Sequence, residues 1–394
     1  MSLTVEAEAA QRSRLWDLAG AWRGVGTAVG IFALTRFAQL IVLAWLDTAA
    51  ENPIGIRARL LVWDAGWFYR VAVDGYPHGY TYDSAHVLQG NELAFFPVYP
   101  MLIRLVAALG IEAHTASILV SWLASIGAAV ALHLLGTSLY GKRTGWALVA
   151  ICCTAPVSIV FSMAYSEGTF LAFVAGMLVA AHRRVWWAAG PLGLLAALTR
   201  PTGAAAAVAL AVAALLAVRE SRGNESWEKR WEPLGAAALA LAGAPLFLAW
   251  VGWRVGDPAA WFRIQAAGWG TAFDYGASTL SFLNTTLTTG EGWVPISVAF
   301  ILLAALGAAG VALAQRPWPP LAVYGVIAMV LVYGQAGFYH SKPRLLVPVL
   351  LTLLPAAVAA GRARPRVAAV SIAAWAAFGL WYGAYLVAVW PYTL

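Results

Sequence analysis

Eleven apolar stretches set the terms for what this chain can fold into. They run at about 25–46, 115–139, 145–163, 166–181, 186–199, 202–218, 234–253, 293–314, 319–337, 344–360 and 367–390. A membrane span takes roughly 20 predominantly apolar residues, because a helix rises about 1.5 Å per residue across about 30 Å of hydrocarbon. Composition points the same way: 61% of the 394 residues are hydrophobic, 11% are charged, and mean hydropathy is +0.74. Soluble domains carry roughly 45–50% apolar and about 25% charged residues. Backbone in lipid must satisfy its own hydrogen bonds, so the pattern predicts an all-α polytopic membrane protein of about eleven helices. Arg200-Pro201-Thr202-Gly203 separates two of the stretches, since proline ends a helix and removes a donor. No soluble domain, clear internal repeat or low-complexity tract interrupts the pattern, and residues 1–394 read as one transmembrane domain. The polar N-terminus leads into a full-length apolar stretch, so no cleavable signal peptide is expected.

The net charge of +7 is distributed as topology requires rather than as a nucleic-acid surface. With the N-terminus on the cytoplasmic side, five short segments fall there too: Lys142-Arg143, His182-Arg183-Arg184, Arg219 through Arg230, Arg316, and Arg362 through Arg366. With Arg12, Arg14 and Arg23 they hold fifteen of the 25 basic residues. This arrangement places an integral plasma-membrane protein with its C-terminus outside. It also requires that 95–110, which holds Pro97, Pro100 and Arg104, lie along the outer leaflet as a juxtamembrane helix rather than cross. Two long loops then face outward, 47–114 and 254–292, and loops of this length are functional or disordered. The second is aromatic, with Trp261, Phe262, Trp269, Phe273 and Tyr275.

The first long loop carries Trp63-Asp64-Ala65-Gly66-Trp67-Phe68-Tyr69-Arg70, then Asp74-Gly75-Tyr76, then Phe95-Phe96-Pro97-Val98-Tyr99-Pro100. On a helix Asp64 shares a face with Trp67 and Phe68. A carboxylate against apolar rings suits general-base work, and a plain helix-capping Asp reads the same way. Asp74-Gly75 has the composition of a turn. Glu167, in Tyr165-Ser166-Glu167, reads equally as a site acid or as part of a helix N-terminus capped by Ser166.

Nearly all of the ten remaining basic residues sit at the disfavoured outer face, Arg36 alone falling inside a span. An anionic ligand on that side accounts for them. Tyr339-His340-Ser341-Lys342-Pro343-Arg344 concentrates a His, a Lys and an Arg and, with Arg200, could hold a phosphate; snorkelling to lipid headgroups is the other account. No Walker loop, dinucleotide fingerprint, Asp-x-Asp pair or Cys/His zinc cluster is present. No metal and no cofactor is expected. Cys152 and Cys153 read as small core residues.

These motifs, in this order, resemble the GPI-anchor second mannosyltransferases (PIG-V-like) and their bacterial relatives, members of the GT-C membrane glycosyltransferases. The resemblance rests on Trp63-Asp64, Phe68/Tyr69, Gly75-Tyr76, Phe95 through Pro100, Tyr165-Ser166-Glu167 and Arg200-Pro201-Thr202-Gly203, which cover roughly the first half of the chain. After Arg200 it departs from the Ser-Asn of eukaryotic members, which bears on the acceptor. The resemblance implies a GT-C-type bundle and an inverting transferase. Such an enzyme takes a sugar, usually mannose, from a polyprenyl-phosphate donor to a glycolipid or glycan acceptor on the extracytoplasmic side. It carries the catalytic acid of the first outer loop onto Asp64. On this reading Arg200, His340, Lys342 and Arg344 bind the donor phosphate. Trp63, Trp67, Tyr69, Arg70, Asp74, Tyr99, Arg104 and Glu167 would contact substrate. The alternative is a secondary transporter of a lipid-linked or anionic substrate, disfavoured by the missing repeat and the gathering of acids in loops.

Overall fold

A computed structural model describes residues 2–220 and 227–392, with side chains from Trp22 onward and outside 221–230. It is helical almost throughout, and helix occurs in all eleven apolar stretches. α1 (Ser2–Ala49) leads into a first long loop that is itself folded. The loop holds a single turn α2 (Ile56–Arg59), α3 (Asp64–Val73), a two-stranded antiparallel hairpin at 81–82 and 88–89, and α4 (Val98–Ala107). α4 is amphipathic. Tyr99, Pro100 and Ile103 are buried while Leu105 is exposed, the pattern of a helix lying along a surface.

The apolar body follows: α5 (Ala113–Tyr140), α6 (Lys142–Cys153), α7 (Glu167–His182), α8 (Trp186–Ala197), α9 (Gly203–Glu220) and α10 (Trp227–Val255). Glu112 starts α5 by accepting the N–H groups of His114 and Thr115 at 3.0 and 2.9 Å. α5 lies along α6 and α7, and α10 along α8 and α9. The α8–α10 contact is close because Gly190 carries no side chain. A Cβ there would stand 2.9 Å from the Ala236 Cα.

The second long loop contains α11 (Ala260–Trp269) and α12 (Ala277–Thr288), where the sequence reading saw only an aromatic surface. α13 (Trp293–Ala314), α14 (Pro319–Gly334), α15 (Lys342–Leu346), α16 (Leu350–Arg362) and α17 (Pro365–Ala388) complete the chain.

The expectation of about eleven full spans needs refining. Among the described residues six helices are long and apolar enough to cross a membrane: Trp22–Ala49 of α1, α5, α9, Trp231–Val255 of α10, α13 and α17. A seventh arises if α15 and α16, bent by 53° around Pro348, count as one broken span. α7, α8 and α14 are apolar but have 16, 12 and 16 helical residues. The stretch 145–163 holds a helix only to Cys153, because Pro156 stops it. From there to Glu167 the backbone is largely irregular, with one 3-10 turn at Ser158–Phe161. Hydropathy cannot distinguish apolar helix from apolar irregular chain.

That irregular segment has a specific support. Arg36, fully buried on α1, donates to the carbonyls of Cys153 and of Ser158, the latter at 2.7 Å, and reaches the Ser162 hydroxyl at 3.4 Å. Non-helical backbone within an apolar body persists only where something satisfies its carbonyls. The charge that looked anomalous inside a span meets that need. The cytoplasmic segment from Arg219 through Arg230 lies partly outside the described residues.

Candidate active site

Asp64 is the first residue of α3. Trp63 before it has φ 55°, a left-handed conformation that is strained for a bulky residue and that turns the chain sharply into the helix. The turn is held from another element. The Asp64 N–H donates to the Tyr165 hydroxyl at 3.3 Å, and that hydroxyl faces the Val62 carbonyl at 3.5 Å. Tyr165 is fully buried in the irregular segment that Arg36 supports. The placement of Asp64 therefore depends on contacts more than a hundred residues away.

Its carboxylate meets the Arg344 guanidinium: Nη1 lies 2.6 Å from Oδ2. The Nε of Arg344 is 3.4 Å from Glu167, and the guanidinium sits 5.2 Å from the centre of the Tyr165 ring. Arg200 Nη1 approaches Glu167 at 2.5 Å and donates to the Ser166 hydroxyl at 3.2 Å. Two carboxylates and two guanidiniums thus alternate, with Glu167 1% exposed at the back and Asp64 22% exposed at the front. Ser166 stands before α7 but makes no capping bond with its side chain. Its hydroxyl serves Arg200 instead, so the N-cap expected of it does not form.

Asp64, Arg200, Ser166, Lys342 and Arg344 open onto one cavity of about 200 Å³. Phe68, Phe95, Trp261 and Trp269 form much of its apolar wall. The wall is built by the two long loops together. Trp269 meets Phe95 at 5.3 Å and Trp67 at 5.4 Å, edge to face. Trp261 and Gln265 both donate to the Ala94 carbonyl, at 3.3 and 3.1 Å. Tyr80 donates to Asp257, which also accepts from the Ala259 N–H at 2.9 Å and pairs with Arg263. The Tyr80 hydroxyl, with those other donors, holds the Asp257 carboxyl below its ordinary range.

The remaining sequence candidates are placed as follows. Lys342 lines the cavity, but its ammonium donates to the carbonyls of Val332 and Gln335 at 2.8 and 2.6 Å, at the end of α14. His340 is buried between Phe338 and Tyr339 and does not line the cavity. Trp63 packs on the core and Trp67 stacks behind Phe95. Arg70 pairs with Glu92 at 2.6 Å and lies over the Trp67 ring at 4.0 Å. Tyr69 stacks on His114 at 3.9 Å, away from the cavity. Asp74 follows the last turn of α3 and is exposed. Tyr99 is fully buried, its hydroxyl on the Ser117 carbonyl, and Arg104 donates to Ala72 at the end of α3. None of these last seven lines the cavity. Gln265, Thr271, Gln335 and Ser341 line the cavity without having been singled out. Trp269 belonged to an aromatic loop that was legible; the glutamines gave no signal.

A second cavity of about 530 Å³ is almost wholly apolar, lined by α13, α16, α17 and the end of α6. α15 separates the two. Lys342, Arg344 and Leu345 face the first, and Pro343 and Leu346, with Val347 just after the helix, face the second.

No family model matches the chain. It is PIG-V-like in sequence. It is 31% identical over 169 residues to GPI alpha-1,6-mannosyltransferase 2 of Rattus norvegicus, covering 40% of this chain and 32% of that protein. It is 30% identical over 141 residues to GPI mannosyltransferase 2 of Drosophila melanogaster, covering 33% and 28%. The chain spans about a third of the length of the curated relatives it matches. Among solved structures it is similar to the archaeal oligosaccharyltransferase AglB from Archaeoglobus fulgidus in complex with an inhibitory peptide and a dolichol-phosphate. The TM-score is 0.49 and the identity 13%, over 90% of this chain and 56% of that one.

Proposed function

We propose that this integral membrane protein is an inverting glycosyltransferase of the PIG-V-like, GT-C type. On this reading it moves a sugar, mannose by analogy with the names of its relatives, from a polyprenyl-phosphate donor to a lipid or glycan acceptor at the extracytoplasmic face. One observation carries the reading: a carboxylate, Asp64, and two arginines, Arg200 and Arg344, converge on a single cavity walled by aromatic rings. Asp64 takes the proton from the acceptor hydroxyl. The acceptor oxygen then bonds to the anomeric carbon as the carbon–oxygen bond to phosphate breaks, and the phosphate leaves with that electron pair. Arg200 and Arg344 stabilise the charge that grows on the leaving phosphate. Phe68, Phe95 and Trp269 supply ring surface for the sugar.

The apolar cavity on the other side of α15 supports a donor with a hydrocarbon tail, since one short helix borders both an ionic and an apolar space. Lys342 contributes positive potential while its protons are committed to backbone. Arg36, the main intramembrane charge, serves backbone carbonyls, which gives the transporter alternative no support from that residue.

Purified Asp64→Asn protein, given polyprenyl-phosphate-mannose and a lipid acceptor, should retain donor binding and lose transfer by roughly 10²–10⁴-fold, the range for a general base. Turnover close to wild type would remove Asp64 from the chemistry. Lipid-glycan profiles of a deletion strain, read by mass spectrometry, should show a glycan one hexose shorter; an unchanged profile counts against the transferase.

A further inference from the structure

The Asp64 carboxylate is part-buried and its Oδ2 is held by Arg344 at 2.6 Å, so that oxygen is not open to an acceptor hydroxyl while the bond lasts. The same guanidinium is the cation best placed to meet a phosphate in the cavity, so one Arg344 faces two anionic claimants. We propose that Arg344 is a lock on Asp64 that the donor's phosphate opens. When the phosphate enters, Arg344 exchanges its bond from Asp64 to the phosphate, and only then is Asp64 available to the acceptor hydroxyl.

The geometry of Glu167 makes the exchange feasible. Glu167 is buried behind the arginines and meets Arg344 through Nε, on a different edge from the Nη1 that holds Asp64. It stays beside both guanidiniums whichever partner the outer edge takes, so Arg344 is never left buried without an anion. The four side chains are formally neutral together, two carboxylates against two guanidiniums. An incoming phosphate therefore gains most by displacing Asp64 from its cation. Glu167 is a positioning residue in this scheme, and donor binding precedes productive acceptor binding. The inference rests on reading the cavity as the donor-phosphate site.

The test is a binding measurement that needs no turnover. Farnesyl phosphate, a short polyprenyl monophosphate, is titrated into the purified full chain in lipid nanodiscs, with farnesol as the uncharged control. Asp64→Asn removes the competitor and should bind farnesyl phosphate about tenfold tighter than wild type, with farnesol binding unchanged. Glu51→Gln, which removes an equal charge at an exposed site in the same loop, should leave affinity as it was. Asp64→Ser replaces the amide variant if that variant does not fold. Equal or weaker binding by Asp64→Asn, or an equal gain with Glu51→Gln, overturns the lock while leaving the donor-phosphate reading in place. Failure of every form to prefer farnesyl phosphate over farnesol overturns that reading, and the lock with it.

Discussion

Arg36 is a residue that stands out in the sequence and is accounted for by the structure. A guanidinium within a span suggests a transport path or ligand site. Here it satisfies the carbonyls of Cys153 and Ser158, released where α6 stops before Pro156. The segment it supports carries Tyr165, whose hydroxyl receives the Asp64 N–H. Replacing Arg36 with Leu should remove the guanidinium from both carbonyls and leave that of Cys153 with the Ser158 hydroxyl at 2.9 Å, at a cost of about 1–3 kcal/mol. The thermal midpoint of the purified protein should fall accordingly, and Arg36→Lys, with one ammonium in place of a fork, should fall less. A midpoint unchanged in Arg36→Leu would mean that the carbonyls find other donors. Asp64 itself was legible from its aromatic neighbours and from the family resemblance. Its partner was not: Arg344 lies 280 residues further on, and nothing in the sequence pairs the two.

Among the elements, proline and close approach decide most of the shape. Pro156 and Pro348 interrupt apolar stretches that hydropathy reads as continuous, and Arg200-Pro201 divides α8 from α9 as the sequence indicated. Each break sits beside the cavity or supports a residue that lines it. The irregular segment after α6 is also packed tightly against α17. A Cβ on Gly379 would lie 1.9 Å from the Thr154 carbonyl oxygen. Gly379→Ala should therefore destabilise the protein by roughly 1–3 kcal/mol through overpacking. Because Thr154 leads toward Tyr165, transfer activity should fall along with the unfolding midpoint. An alanine variant with both intact would show that α17 can shift away without loss. α11 and α12 were missed because the apolar face of α11 turns toward the first long loop while α12 packs on α13 and α14. Trp261 and Ile264 are buried there, whereas a loop lying on a lipid surface would present the same residues outward.

At the scale of the molecule the open quantity is sidedness, and it can be measured directly. On the orientation we propose from the charge pattern, the first long loop lies outside the cell and the Arg362–Arg366 turn inside. Single cysteines at the exposed positions Tyr82 and Val367 report on the two faces, since Cys152 and Cys153 are buried. In intact cells a membrane-impermeant thiol reagent should label Tyr82→Cys and spare Val367→Cys; the reverse labelling would invert the topology and put the cavity on the cytoplasmic side. Composition and the run of eleven apolar stretches were enough to read this chain as a mainly helical membrane protein, because a chain that is 61% hydrophobic needs lipid to cover those stretches and helix to satisfy their backbone. Residue order within the first long loop left Asp64 readable as a helix cap or a base, and the family resemblance singled it out. Only the tertiary structure decided which charges meet. Asp64, Glu167, Arg200 and Arg344 come from four separate segments, and ion pairing depends on distance in space, on which hydropathy and local spacing carry no information. The same holds for the cavity, whose walls form only when the second long loop folds onto the first.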